Sequence, residues 1–287
     1  MPPADNPATS AEETRRLQAT FQDRPLSAHG AQWDSLWTAS YTPWDRGGPS
    51  AALDDLLAER GSDLFFQGAG EEKTTEKKRR RARALVPGCG RGYDALLLAA
   101  YGFDVVGLDY SAAATREAAG VEASVGAEEA YRPRGEEGEK GTVTWLTGDF
   151  FGDEFLGKAG TESFDLIFDY TFLCALPLEA RPKWAKRMSQ LLARDGGRLV
   201  CLEWPLHKPA SSGGPPWGLT AEVYVAHLSR PGEEVPYGQD GRPVEDDAGQ
   251  PAADGLKRLV RVQPRRTHRA GYDREGNIID FISVWSH

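Results

Sequence analysis

The sequence predicts an α/β fold with a seven-stranded, mostly parallel sheet and helices on both of its faces. Two observations indicate this class. Between residues 83 and 203, short apolar runs alternate with helical segments, the order expected when crossover helices join parallel strands. The first apolar run leads directly into a glycine-rich turn, PGCGRG, at the edge where open α/β sheets bind their ligands.

The predicted elements follow one another with little sequence between them. Gly102 ends the first helix of the sheet, and Ser111 caps the second. Two late strands are expected to pair antiparallel and to close the sheet. The strands are RALVPG, FDVVGLDYS, VTWLTGDFF, FDLIFDYTFLCAL, RLVCLEWPL, LKRLVRVQP and NIIDFISVWSH, and the helices are YDALLLAAYG, AAATREAAGVEASV, LEARPKWAKRMSQLLARDGG and LTAEVYVAHLS.

Composition divides the chain into a lead, one domain and an insertion. The lead is polar and contains one short helix, Ala11–Phe21. The insertion is rich in Pro, Gly and Asp, which predicts a mobile segment. The boundaries are 1–28 for the flexible lead, 29–287 for the single domain, 29–60 for the cap helices at its start and 231–254 for the insertion.

The cap helices are predicted from tryptophan spacing and turn residues. Trp33 and Trp37 are four positions apart and therefore share one helix face. Pro43 ends that helix, and Ser50 has the residue type of an N-cap for the next one.

Composition and charge disfavour several classes of protein. The net charge of −9 argues against nucleic-acid binding, and the seven basic residues from Lys73 to Arg83 are interpreted as a solvated loop, with a DNA-binding arm as the alternative. No apolar run of about 18 residues predicts a membrane span, and the polar start lacks the apolar core of a secretory signal. Cys89, Cys174 and Cys201 lie in apolar runs, which predicts buried thiols in the cytoplasm, with no disulfide and no metal site.

The glycine loop indicates a nucleoside ligand. Gly88, Gly90 and Gly92 follow the first strand, but a dinucleotide fingerprint would need a third small residue at position 93, which is Tyr93. Asp109 ends the second strand, where an acid accepts hydrogen bonds from both ribose hydroxyls. The loop and the acid together favour a smaller nucleoside over a dinucleotide.

The third strand completes the pattern with TGDFF. Asp149 can accept a hydrogen bond from an exocyclic amine, and Phe150 or Phe151 can stack on a purine. A glycine loop, a ribose acid and this segment on three successive strands predict S-adenosylmethionine (SAM) as the cofactor. The glycines would let the backbone approach its amino-acid portion.

The segment GGPPW is similar to a motif with which methyltransferases hold an amino nitrogen. That motif belongs at the end of the fourth strand, whereas GGPPW follows the fifth. The sequence therefore disfavours methylation of a nucleobase amine.

Five segments carry a family resemblance: WDSLWTASYTPWDRGGPS, RALVPGCGRGYDALLLAAYGFDVVGLDYS, GDFF, FDLIFDYTFLCALPLEARPKWAKRM and GGPPW. In that order they resemble the thiopurine S-methyltransferase superfamily, and within it the plant and fungal thiol and halide methyltransferases. The resemblance runs from about Trp33 to Tyr224. It implies a class I, Rossmann-like SAM-dependent methyltransferase fold with an N-terminal helical cover.

The resemblance also implies a role for each matching position. The implied cofactor contacts are Trp33, Trp37 and Trp44 over SAM, Gly88 at its methionine part, Asp109 at its ribose, Asp149 and Phe150 at its adenine, and Asp169 beside the sulfonium, with Gly90 and Tyr110 as further cofactor-binding residues. Tyr170, also beside the sulfonium, and Arg181, near the substrate mouth, are the implied catalytic residues.

Each supporting role has a structural alternative. Tyr170 would donate to an anion or accept a thiol proton through water, or it is a buried structural tyrosine. Arg181 would attract an anion, or it is an ion-paired helix residue. Trp33 and Trp37 would stabilise the sulfonium by cation–π contact, or they pack in the core. Tyr224 and His227 are candidates for a lid, and His207 is interpreted as a loop residue.

The predicted function is methyl transfer from SAM to a small soft nucleophile by direct in-line displacement. Halide, thiocyanate, hydrosulfide and small thiols are the candidate acceptors. A larger secondary-metabolite thiol or a thiopurine-like heterocycle is one alternative, and a non-catalytic SAM-binding protein is another. We expect the protein to act as a monomer or weak dimer on a small-molecule anion or thiol, without nucleic-acid or membrane partners.

Overall fold

The computed structural model describes residues 10–65, 80–125, 128–134, 138–209, 212–244 and 251–287. Within these ranges seven strands form one sheet in the order β3-β2-β1-β4-β5-β7-β6. Their bounds are β1 Arg83–Pro87, β2 Asp104–Asp109, β3 Val143–Thr147, β4 Leu166–Asp169, β5 Arg198–Glu203, β6 Lys257–Val262 and β7 Phe281–Ser286. The first five strands pair in parallel, and β7 runs antiparallel between β5 and β6. The predicted α/β fold with a seven-stranded, mostly parallel sheet is confirmed.

Helices cover both faces of the sheet. One buried cluster joins β1 and β4 to Trp184 and Tyr224, and the other joins the opposite face to Leu53 and Leu97. The apolar faces of the helices therefore bury the central strands on both sides, as expected for strands that read as continuous apolar runs. The helices are α1 Ala11–Phe21, α2 His29–Thr38, α3 Ala51–Leu64, α4 Tyr93–Ala100, α5 Ala112–Ser124, α6 Glu154–Ala159, α7 Arg181–Leu191 and α8 Ala221–Ser229.

Two predicted N-caps have the expected geometry. The Ser50 hydroxyl accepts a hydrogen bond from the Leu53 amide at 3.2 Å, which begins α3. The Ser111 hydroxyl accepts from the amides of Ala113 and Ala114 at 3.1 and 3.3 Å, which begins α5 directly after β2. Both serines supply acceptors for helix amides that have no partner inside the helix.

The fourth strand is shorter than the apolar run that predicted it. It ends at Asp169, because Thr171 adopts a left-handed backbone conformation with φ of 63°. The Asp169 carboxylate then accepts a hydrogen bond from the Leu173 amide at 3.2 Å, and residues 173–175 form a 3₁₀ turn. The chain therefore turns across the edge of the sheet after β4.

The cap helices form a small cluster of their own. Leu17 and Phe21 of α1 and Leu36 of α2 are buried together, with Trp33 and Trp44 packed against them. Residues 10–28 of the predicted lead thus include a helix that contacts the cap, while residues 1–9 lie outside the described residues. The division of the chain at residue 29 stays a prediction.

The structure describes the insertion on both sides of residues 245–250, which lie outside the described residues. Residues 66–79, which include most of the basic stretch, also lie outside them. Tyr237 and Pro243 form an isolated antiparallel bridge. The Ala252 amide donates to the Ser229 carbonyl at 2.9 Å, so the described ends of the insertion are attached to α8. In the described ranges, none of the helices has the length and apolar character needed to cross a membrane.

Candidate active site

A cavity of about 760 Å³ opens at the carboxyl ends of the parallel strands. Loops that follow five strands contribute to it, and α1 and α2 close it from above. The predicted site residues that line the cavity are Trp33, Trp37, Trp44, Gly88, Gly90, Asp109, Tyr110, Asp149, Phe150 and Tyr170. Asp169 and Arg181 lie outside its lining. The sequence motifs therefore meet at one edge of the sheet, with these two exceptions.

The glycine loop has a backbone that only glycine adopts readily. Gly88 and Gly90 have φ of +60° and +51°, in the left-handed region. A Cβ atom at Gly88 would lie 2.5 Å from the Phe172 ring, and one at Gly90 would lie 3.2 Å from the Trp37 ring. The loop therefore passes directly beneath two aromatic rings, and a ligand can approach its backbone from the cavity.

Asp109 is held by the loop that it faces. Its Oδ2 atom accepts a hydrogen bond from the Gly90 amide at 3.0 Å, and its Oδ1 atom accepts from the Ser111 amide at 2.9 Å. Burial raises the pKa of this carboxyl to about 6, against the lowering effect of the two amides. Each oxygen keeps a further lone pair, so the carboxylate can also accept from two vicinal hydroxyl groups.

Three tryptophans form the roof of the cavity. The Trp44 ring lies edge-on to Trp33 and Trp37, with centroids 5.0 and 5.8 Å away. The Ser111 hydroxyl donates to the Asp34 carboxylate at 2.6 Å, which ties α2 to the turn after β2. The tryptophans thus pack against one another and also line the cavity, and their contact with a sulfonium stays a prediction.

The predicted adenine end of the site lies beyond β2 and β3. The Tyr110 ring packs on α2, where a Cβ atom at Gly30 would lie 2.6 Å away from it. Phe150 is buried and contacts the Phe172 ring edge-on at 5.1 Å. Asp149 is exposed, and its Oδ1 atom accepts from the Phe151 amide at 2.9 Å. The arrangement offers apolar walls with one carboxylate at their rim.

Tyr170 follows β4 and lines the cavity opposite this end. Its ring stacks on His268, with centroids 5.5 Å apart and an interplanar angle of 3°. Its hydroxyl is buried and has no hydrogen-bond partner in the described parts of the chain. Burial raises the pKa of Tyr170 above its usual value, and the nearby Arg46 opposes that rise. At neutral pH the phenol is therefore a proton donor.

Asp169 does not reach the cavity, contrary to its predicted place beside the sulfonium. The Trp184 indole donates to its Oδ2 atom at 2.8 Å, and the Leu173 amide donates to its Oδ1 atom. Burial raises its pKa to about 6. Its contacts fix the turn after β4, so Asp169 positions Tyr170 in the lining.

Arg181 lies outside the cavity lining. It is 1 % exposed and donates to the Gly218 carbonyl at 3.0 Å and to the Tyr237 hydroxyl at 3.2 Å. The same hydroxyl lies 2.7 Å from Nε2 of His227. Arg181 therefore fastens the insertion to the body of the protein. Tyr224 and His227, the candidates for a lid, are buried and also lie outside the lining.

Several lining residues were missed by the reading of the sequence. They come from the segment before α3, the turn after β4, the segment after β5 and the approach to β7, and each is unremarkable in its own stretch of sequence. A positional signal existed for one of them, since Trp204 follows β5 as Tyr170 follows β4. The missed residues are Arg46, Phe172, Cys174, Trp204, Lys208 and His268.

The GGPPW segment also reaches the cavity, although it follows β5 in the sequence. Pro215 and Pro216 line the cavity wall. The Trp217 amide donates to the Cys174 carbonyl at 2.7 Å, which joins the segment to the turn after β4. The segment therefore lies beside the turn after β4, although it is far from β4 along the chain.

Comparisons with known proteins identify relatives over most of the chain. A family model described as "Thiopurine S-methyltransferase (TPMT)" matches residues 28–237. The chain is 34% identical over 246 residues to a "Probable thiol methyltransferase 2" of Arabidopsis thaliana, which covers 84% of this chain and 86% of that protein. It is 32% identical over 219 residues to "Thiocyanate methyltransferase 1" of Brassica oleracea, with 74% and 80% covered.

Solved structures share the fold at low sequence identity. A SAM-dependent methyltransferase from Anabaena variabilis superposes with a TM-score of 0.51 at 16% identity, over 92% of this chain and 96% of that one. This likeness concerns the fold alone.

Proposed function

This chain belongs to the thiopurine S-methyltransferase family, and we propose that it methylates a small soft nucleophile such as a halide, thiocyanate, hydrosulfide or a small thiol. The family assignment makes the protein a SAM-dependent methyltransferase and confirms the resemblance found in its sequence. The identity of the acceptor is our proposal. It rests on the chemical difference between the two ends of the cavity.

The cofactor end fits SAM. Gly88 and Gly90 line the cavity with left-handed backbone, and beside them the Asp109 carboxylate retains lone pairs for the two ribose hydroxyls. We assign the nucleoside to this end, with Phe150 beside the purine and Asp149 at its amine. When bound there, SAM supplies a methyl group on a sulfonium, which is an electrophile.

The other end of the cavity carries positive charge and aromatic rings. It is built by the loops after β4 and β5 and by residues 268–272. Among the carboxylates of the lining, Asp45 is paired with Arg91, and Asp94 lies near enough to Tyr170 to raise its pKa. The basic residues in the lining beyond that pair are Arg46, Lys183, Lys208 and Arg269. This contrast is the observation that carries the proposal, because it favours an acceptor that binds as an anion.

The chain's own groups favour direct transfer. Burial raises the pKa of the Cys174 thiol to about 12, so this cysteine stays protonated at neutral pH and is a poor nucleophile. The Tyr170 phenol is a donor that can bind an acceptor anion. Holding an acceptor in line with the methyl group is worth about 7–11 kcal/mol in well-oriented systems. We infer that the residues around the cavity catalyse the reaction mainly through such positioning.

A panel of acceptors tests this proposal. Purified protein with SAM is offered iodide, bromide, thiocyanate, hydrosulfide, a small aromatic thiol and a thiopurine, and both the methylated product and S-adenosylhomocysteine are measured. We expect turnover with at least one of the small anions or with the small thiol. Turnover with the thiopurine alone would contradict the proposal and favour the larger heterocycle, for which the cavity of about 760 Å³ leaves room. Methyl transfer to none of them would also contradict it.

A further inference from the structure

We propose that Arg46 is the anion-binding residue for the acceptor, and that the free edge of its guanidinium receives the acceptor's negative charge. The inference rests on the proposed function and deepens it, since it requires the acceptor to bind as an anion. Arg46 lies between α2 and α3 and lines the cavity. Nothing in the sequence motifs draws attention to it.

The hydrogen-bond donors of Arg46 are poorly used within the protein. Its Nε and Nη2 atoms are buried and have no hydrogen-bond partner among the described residues. These two nitrogens lie on the same edge of the planar guanidinium, the edge that makes two parallel hydrogen bonds to an anion. Arg46 is half-buried, and the Asp280 carboxyl is near enough to feel its charge, but buried donors without hydrogen bonds are unfavourable in a folded protein. Such groups in native structures call for an explanation, and a missing anionic ligand is one.

Three other cations of the lining, Arg91, Lys208 and Arg269, have interactions of their own. Arg91 is paired with Asp45 and with Glu117, the latter at 2.8 Å. Lys208 donates to the carbonyl groups of Gly213, at 2.7 Å, and Pro216. Lys183 is exposed. Arg46 therefore combines a cavity position with an unsatisfied pair of donors.

Arg46 lies at the acceptor end of the cavity. Its guanidinium carbon is 4.6 Å from the centroid of Trp204, which follows β5, and its charge lowers the pKa of Tyr170, which follows β4. In the strand order, β1 separates these two strands from β2 and β3, where Asp109 and Asp149 mark the nucleoside. The donors of Arg46 thus face the part of the cavity that the nucleoside leaves free.

The buried Tyr170 hydroxyl lies in the same region, close enough to Arg46 for the guanidinium to act on its pKa. Together with the Arg46 edge it would surround an anion with donors, while Trp204 covers the guanidinium. A halide or thiocyanate binds such a site directly. A thiol would bind there as its thiolate, which is also the nucleophilic form.

The test separates anion binding from cofactor binding. Calorimetry measures the dissociation constant of S-adenosylhomocysteine and then that of thiocyanate added to the S-adenosylhomocysteine complex. The variants are Arg46→Gln, which removes the charge, and Arg46→Lys, which keeps the charge but lacks the two parallel donors of the guanidinium edge. The matched control is Arg132→Gln, because Arg132 is exposed, pairs with Glu129 at 2.7 Å and lies outside the cavity lining.

We expect Arg46→Gln to weaken thiocyanate binding by about 10- to 100-fold, the loss typical of charge-assisted hydrogen bonds. Arg46→Lys should lie between Arg46→Gln and the unaltered protein. S-adenosylhomocysteine should bind within about threefold of its normal affinity in each variant, and Arg132→Gln should leave both constants unchanged.

Contrary outcomes are equally specific. A loss of S-adenosylhomocysteine affinity in Arg46→Gln, with thiocyanate binding preserved, would assign Arg46 to the cofactor carboxylate and overturn the inference. An unaltered protein that binds no thiocyanate would overturn it as well. If the unaltered protein binds thiocyanate through Arg46 but methylates nothing in the acceptor panel, the proposed function fails while this anion site stands.

Discussion

At the scale of single residues, Asp109 combines a structural and a binding role. Its two backbone hydrogen bonds, from Gly90 and Ser111, hold the carboxylate plane fixed between the glycine loop and the start of α5. A carboxylate that is already oriented loses little freedom when it accepts two hydroxyl groups. The residue that shapes the loop is therefore also the one to which we assign the ribose.

We predict that Asp109→Asn weakens binding of S-adenosylhomocysteine by about 10- to 100-fold. The amide keeps one acceptor oxygen but loses the charge and one of the two ribose acceptors, and charge-assisted hydrogen bonds contribute about 1.5–3 kcal/mol each. Calorimetric titration measures the change. Asp149→Asn should have a smaller effect because Asp149 is exposed. Equal affinity in Asp109→Asn and the unaltered protein would contradict the ribose assignment.

The site residues that sequence reasoning located share one property. Glycine loops, strand-end acids and aromatic motifs lie within a few positions of a predicted strand end, and parallel strands bring these ends together. The direction in which a side chain points was not predictable in the same way. Asp169 is one position before Tyr170, yet it points to Trp184 and away from the cavity. Arg46 becomes meaningful only when β5 brings Trp204 to it, a contact across 158 positions that local pattern does not encode.

At the scale of elements, α1 and α2 form a cover over the cavity with a small core of its own. Their buried residues make a cluster separate from the two clusters that cover the sheet. Thr14 and Leu17 of α1 also line the cavity. A helix pair with its own small core opens at lower free energy than the sheet, so a bound cofactor would stabilise it.

We predict that Phe21→Ala loosens this cover more than it unfolds the protein. Phe21 is 4% exposed and contacts Trp33 at 4.6 Å between ring centroids, so its removal leaves a cavity beneath the roof of the site. Hydrogen exchange should accelerate in α1 and α2, and S-adenosylhomocysteine should bind several-fold more weakly. Uniform acceleration over the sheet would show that the cover and the sheet unfold together.

The insertion gives a second prediction at this scale. Tyr237→Phe removes the hydroxyl that binds both Arg181 and His227. Leaving these buried groups without their partner should reduce the free energy of unfolding by about 1–3 kcal/mol, as measured by denaturant titration. Affinity for S-adenosylhomocysteine and the KM for the acceptor should not change. A rise in the KM for the acceptor, with unchanged affinity for S-adenosylhomocysteine, would instead support the predicted place of Arg181 near the substrate mouth.

Element existence was predictable where apolar periodicity was long and bounded by turn residues. The seven strands, the antiparallel closing pair and the caps at Ser50 and Ser111 all follow from such signals. Strand length was not predictable for β4, because the apolar run continues through Leu176 while the backbone reverses at Thr171. Helix α6, only six residues long, is too short to show a helical period.

At the scale of the whole molecule, several carboxyl groups are buried around the parallel sheet. Four of them lie at or near one edge of the sheet, and burial raises the pKa of each to about 6. The four are Asp94, Asp109, Asp169 and Asp280. Two of them, Asp94 and Asp109, line the cavity. The ligand-free fold therefore carries buried negative charge at neutral pH, and this charge opposes folding.

This burial predicts that the ligand-free protein is more stable at pH 5.5 than at pH 7.5. The ordinary pKa of these carboxyls is 3.8, so between about pH 4 and pH 6 the folded protein holds more protons than the unfolded chain. Its stability then falls as pH rises through that window. His227 acts in the opposite sense, because burial lowers its pKa to about 4 and folding then excludes a proton below its ordinary value of 6.5. His227 and the partly buried His287 therefore make stability rise with pH, whereas the four carboxyls make it fall. Because the carboxyls are more numerous, we expect the net stability to fall as pH rises.

Thermal unfolding of the ligand-free protein at a series of pH values measures this effect, and two variants should move the slope in opposite directions. Asp280→Asn removes a raised carboxyl that lies outside the cavity lining and accepts a hydrogen bond from Thr267 at 2.5 Å, so the rise in stability toward pH 5.5 should become shallower. His227→Gln removes the opposing imidazole, so the rise should become steeper, although its lost contact with Tyr237 lowers stability at every pH. The two variants share the same sheet and cavity, so a common slope in both and in the unaltered protein would mean that neither buried group controls the pH dependence. Opposite changes in the slope would show that the buried carboxyl groups at the sheet, more than the charges on the protein surface, set the pH dependence of stability.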